Sequence, residues 1–115
     1  MENHIPNIAA GIIENAKIQE YLLNLAHPDG RGKAIFFASK GFTLENIQGF
    51  RDMLITQASN NPISKLVQTE WGTKYIVTGP IKWHDQNEFN LTTVWIIENG
   101  ESFPKLATAY PAPKL

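Results

Sequence analysis

The apolar pattern of this chain changes period once, at Asn60-Asn61-Pro62, and that change dictates the class of fold open to it. Before it, apolar residues recur at helical spacing; after it, β-branched and aromatic residues gather in short runs. Ile18, Tyr21, Leu22 and Leu25 form one buried face of a helix expected over residues 16–24, with Asn15 as its N-cap. A second helix starts near Lys33, turns Ala34, Phe37 and Ala38 inward, and stops at Gly41, which tolerates the left-handed backbone just past a helix end. Thr43 opens a third helix whose stripe is Ile47, Phe50, Met53, Leu54 and Ala58.

Strands are expected over residues 63–69, 74–78, 90–97 and 106–110, with turns at Trp71-Gly72 and Asn99-Gly100 and a polar connection over 85–88. Helices first and strands afterwards predict an α+β fold, with N-terminal helices packed on one face of a four-stranded antiparallel sheet. Residues 1–14, interrupted by Pro6 and Gly11, read as an N-terminal arm whose isoleucines can lie against the body. Residues 15–111 are the single domain and 112–115 a tail.

At 115 residues, with 43% hydrophobic and 18% charged residues, the chain has enough apolar surface for one core, which argues against disorder. A net charge of −1 is not that of a protein that coats nucleic acid, but it leaves room for a local basic pocket. The absence of cysteine excludes disulfides, thiolate zinc sites and thiol catalysis, and favours a reducing, cytoplasmic setting. No apolar run reaches the ~20 residues of a membrane span, and the first residues lack the pattern of a signal peptide.

The densest concentration of chemistry is His27-Pro28-Asp29-Gly30-Arg31-Gly32-Lys33. Its glycines permit close approach of a ligand to the backbone, and the helix that follows presents N–H groups to an anion. Arg31 can grip a phosphate by two hydrogen bonds, Lys33 supplies a point charge, and His27 can move a proton near neutral pH. The same residues equally suit a solvated turn with His27 packed on Pro28. The strand segments carrying Thr93 and Trp95, and Thr108 and Tyr110, place hydroxyls and rings on sheet faces, where they either meet a phosphate or serve as good strand formers. Lys74 either adds charge to such a pocket or is exposed on a hairpin.

His4 and His84 lack metal-ligand spacing, His84-Asp85 reads as surface loop, and no HExxH or carboxylate cluster occurs. No metal and no cofactor is therefore expected. P-loop, GxSxG and dinucleotide signatures are absent as well. Phe36, Phe37, Phe42, Phe50, Trp71 and Trp83 are expected in or near the core, Trp83 being the most exposed.

The segments IPN, KIQEYLLN, HPDGRGKAIFFASKGF, GTKYIVTGPI, TTVWIIENG and PKLATAYP together resemble a family of small, uncharacterised bacterial domains, over residues 5–111. These occur as stand-alone genes beside another tiny gene and at the C-termini of polymorphic toxins. The order of elements is similar to the barnase/EndoU/colicin/RelE-like ribonuclease toxins. That resemblance implies metal-independent RNA cleavage by a bacterial toxin whose partner is a small antitoxin or immunity-type protein. It assigns His27 as acid or base, Lys33 and Arg31 as phosphate clamps, and Thr93, Thr108 and Tyr110 as the sheet side of the site. Trp95 either stacks or belongs to the core. Lys105 stands where the family commonly has arginine, which weakens any bidentate contact there. The rival reading is a non-enzymatic module that binds the neighbouring gene product.

Overall fold

An amphipathic helix needs an apolar surface to cover, and the second half of this chain supplies one. The computed structural model describes residues 3–28, 31–83 and 87–113. Within them β1 (Lys65–Gln68), β2 (Gly72–Trp83), β3 (Asn87–Glu98) and β4 (Lys105–Pro111) form an antiparallel sheet in the order β1-β2-β3-β4. Three helices, α1 (Asn15–Lys17), α2 (Arg31–Ser39) and α3 (Ile47–Asn60), precede it and pack on one face, as the change of period predicts. The expected turn at Asp29-Gly30 and the expected loop at His84-Asp85 lie outside the described residues.

Local chemistry accounts for the helix ends. Gly41 takes a φ of 91°, and the Gly41 and Phe42 amides donate to the Ala38 and Phe37 carbonyls, which closes α2 in a Schellman motif. Thr43 Oγ1 accepts from the Glu45 amide to open a short 3-10 turn (Leu44–Asn46), and Asn46 then caps α3 through the Gly49 amide. The first helix departs from expectation. Only Asn15–Lys17 is α-helical, and Ile18–Leu22 continue as a π turn in which the Leu23 amide donates to the Ile18 carbonyl. The wider turn shifts the helical phase. Leu23 is buried in place of Leu25, which points to solvent. Asn15 does not cap; Glu14 holds that position, and Asn15 instead accepts from the Arg51 guanidinium on α3.

The first residues are woven into this body. Ile5, Ile8 and Ile13 are buried, and Ile12 forms a parallel bridge to Lys105 beside β4. Trp71 reverses an expectation: at the tip of the β1–β2 turn it is 72% exposed, whereas Trp83 packs against Phe42. A tight turn, held by Thr69 Oγ1 to the Trp71 and Gly72 amides, carries that indole beyond the edge of the core.

Gln57 joins α3 to the sheet. It is fully buried; its Nε2 donates to the Leu91 carbonyl at 2.8 Å and the Val77 carbonyl at 3.3 Å, and its Oε1 accepts from Thr93 Oγ1 at 2.8 Å. Thr93 in turn accepts from Trp95 Nε1 at 2.9 Å. Gln57→Ala leaves Thr93 and two strand carbonyls short of a partner, and should cost about 3 kcal/mol in urea unfolding. Gln48→Ala, on the exposed side of the same helix, should cost less than about 0.5 kcal/mol.

Candidate active site at the β4 edge

The turn before α2 is held by main-chain bonds. The His27 amide donates to the Asn24 carbonyl at 3.2 Å, and the Arg31 amide donates to the His27 carbonyl at 2.9 Å. His27 is thereby kept beside the first turn of α2. Lys33 in that turn reaches toward β4, where its Nζ donates to Thr108 Oγ1 at 3.2 Å. It also donates to the Tyr21 hydroxyl, which comes from the π turn. The ammonium lies 4.5 Å from the centroid of the Tyr21 ring and 5.9 Å from that of Tyr110. The Tyr21 ring meets the His27 ring edge-to-face, with centroids 5.2 Å apart.

Three stretches of chain thus converge on one ammonium. Its partners are hydroxyls and ring faces, which hydrogen-bond it and attract it electrostatically without cancelling its charge. Because the Tyr21 oxygen accepts from Lys33, its own O–H remains to donate elsewhere. Lys33 and His27 are half-buried, and Tyr110 is 38% exposed, so the cluster opens to solvent. It can hold an anion against Lys33 and offer two proton-bearing groups, imidazole and phenol, beside it.

His27, Lys33, Thr108 and Tyr110 are therefore neighbours, and Arg31 stands exposed at the start of α2 on the same turn. Thr93 and Trp95 are not part of this surface. Both are 0% exposed, on the face covered by the helices, and they complete the Gln57 network. The register explains the correction. Thr93 pairs with Ala109, whereas Thr108 pairs with Val94 and Tyr110 with Thr92. Alternation then puts Thr92 and Val94, not Thr93 and Trp95, on the face of Thr108 and Tyr110. Lys74 and Lys105 are also elsewhere: both pair with Ile96, and Lys105 lies 3.9 Å from Glu98.

Tyr21 is the residue that sequence reasoning missed. Its place among Ile18, Leu22 and Leu25 marks it as one more apolar position, and only its hydroxyl, which a buried tyrosine has to satisfy, distinguishes it. Among the described residues, no group of three or more His, Cys, Asp or Glu is placed to hold a metal ion, and no helix is long and apolar enough to cross a membrane. The Tyr21–Lys33 bond is expected to carry about 1 kcal/mol of coupling. A double-mutant cycle with Tyr21→Phe and Lys33→Met, read by urea unfolding, measures it; strict additivity would mean that the two side chains are independent.

No curated protein and no solved structure matches the chain. One family, described as a domain of unknown function (DUF6883), matches residues 4–113. The match takes in the π turn, the His27 turn, α2 and the whole sheet, and therefore every side chain around Lys33. The chain belongs to the DUF6883 family.

Proposed function

We propose that this DUF6883 chain is a metal-independent endoribonuclease, the toxin of a bacterial toxin–antitoxin pair that acts in the cytoplasm. One observation carries the reading: the Lys33 ammonium, held by Tyr21 and Thr108, sits where His27 flanks the same phenol. Cleavage of RNA at a 2′-hydroxyl needs little more. The 2′-oxygen attacks the adjacent phosphorus, the bond to the 5′-oxygen breaks, and a 2′,3′-cyclic phosphate and a free 5′-hydroxyl result. His27 takes the proton from the 2′-hydroxyl. Lys33 stabilises the added charge on the phosphorane, with the exposed Arg31 as a second clamp. The Tyr21 phenol delivers a proton to the leaving oxygen. Thr108 positions Lys33, and Tyr110 offers its ring to a base. The partner in this reading is a small antitoxin that covers the His27 turn and the β4 edge.

Expression of the wild-type chain should slow bacterial growth, and the purified protein should cut total RNA to products ending in cyclic phosphate. His27→Ala and Lys33→Ala should each lower the cleavage rate by about 10²–10⁴-fold, and Tyr21→Phe should lower it while the fold is kept. Intact RNA with wild type, together with a stable heterodimer indifferent to His27→Ala, would assign a non-enzymatic binding module instead.

A further inference from the structure

Among the described residues the helices pack on one face of the sheet, and the register identifies what the other face carries. One row crosses it from edge to edge: Lys65 on β1, Ile76 on β2, Val94 on β3 and Thr108 on β4. The adjacent row is Thr78, Thr92 and Tyr110, in which the Thr78 and Thr92 hydroxyls are hydrogen-bonded at 2.9 Å. On the other side lie Lys74, Ile96 and Lys105. The cations are not equivalent. Lys105 faces Glu98, and Lys82 stands opposite Glu88. Lys65 and Lys74 stand opposite Ile76 and Ile96, so no carboxylate is their register partner. In a chain of net charge −1, this is a local surplus of positive charge on one surface.

We infer that this helix-free face is a track for single-stranded RNA, running from Lys65 and Lys74 to the Lys33 site at β4. Thr108 belongs to both the track and the site, because it ends the row that begins at Lys65 and hydrogen-bonds Lys33. Three strand spacings separate Lys65 from Thr108, about 14 Å. One phosphate cannot bridge that span, whereas a chain of phosphates can. The exposed Thr78 hydroxyl, backed by the buried Thr92, suits sugar and phosphate oxygens, and the exposed Tyr110 ring suits a base. These features favour a nucleic-acid strand over an acidic polypeptide, because a strand pairs regularly spaced phosphates with bases that stack on such a ring. The choice of RNA rests on the nuclease reading; the position of the cations does not.

The test uses the intact chain and a fluorescein-labelled 2′-O-methyl oligoribonucleotide of about twelve nucleotides, which cannot be cleaved. By anisotropy, the double variant Lys65→Ala/Lys74→Ala should bind it about ten-fold more weakly than wild type. Its salt dependence should fall by about one unit of slope per lysine removed. The charge-matched control Lys40→Ala/Arg51→Ala, on the helical side, should bind like wild type. The Lys65/Lys74 variant should also cut a dinucleoside phosphate at the wild-type rate while losing activity on long RNA. Absence of binding by wild type, equal binding by wild type and the Lys65/Lys74 variant, or equal weakening in the control overturns the track. So does competition by polyglutamate as effective as that by polyuridylate. Lysine-dependent binding without any RNA cleavage would remove the nuclease reading and leave the track standing.

Discussion

A buried side-chain amide has to find partners for its N–H groups and its carbonyl, and Gln57 finds them in the middle of the sheet. Its bonds to the Leu91 and Val77 carbonyls and from Thr93 tie α3 across β2 and β3 at one place and in one orientation. Asn61, one turn further, extends the tie: its Nδ2 donates to the Gln57 carbonyl at 2.8 Å and the Pro80 carbonyl at 3.0 Å. Left unpaired, such groups are costly in an apolar interior, so the network selects a single docking of helix on sheet. Among the described residues, every buried side-chain nitrogen and oxygen has a partner.

That docking has two consequences. It commits Tyr75, Val77, Ile81, Leu91 and Trp95 to the core, and so commits the alternate residues to the opposite face. It also places α2 against the end of the sheet, where Phe36 meets Phe89 and Phe37 meets Phe50. Lys33, on the same helix, then has the β4 edge within reach. An ammonium in a half-buried position needs donor-satisfying neighbours, and Tyr21 and Thr108 provide them from parts of the chain 12 and 75 residues away. The π turn supplies Tyr21 by widening the helix at the position where the α phase would slip past.

The same arrangement reconciles a near-neutral chain with a site suited to anions. Net charge describes the whole surface, whereas recognition depends on which charges are neutralised locally. Lys105 lies 3.9 Å from the Glu98 carboxylate. Lys33 has neutral partners and keeps its charge available.

Local rules were legible from the residues alone. The change of period at Asn60-Asn61-Pro62 separates helices from strands, Gly41 ends α2, Thr43 opens the segment leading into α3, and the α+β class follows. The chemistry of the His27–Lys33 turn was legible too, because it depends on residue type. What each residue of a strand faces was not. Thr92 and Thr93 read alike until pairing with β4 decides that one meets Tyr110 and the other Ala109, and a slip of one residue exchanges the two faces. Tyr21 and Trp71 likewise depended on a widened turn and on a hairpin tip, which periodicity does not encode. Sequence determined the type and order of the elements and the boundaries at Gly41 and Thr43, since those outcomes rest on neighbours a few residues apart. Tertiary structure alone decided that Lys33 meets Thr108, because that contact follows from how α3 docks on the sheet.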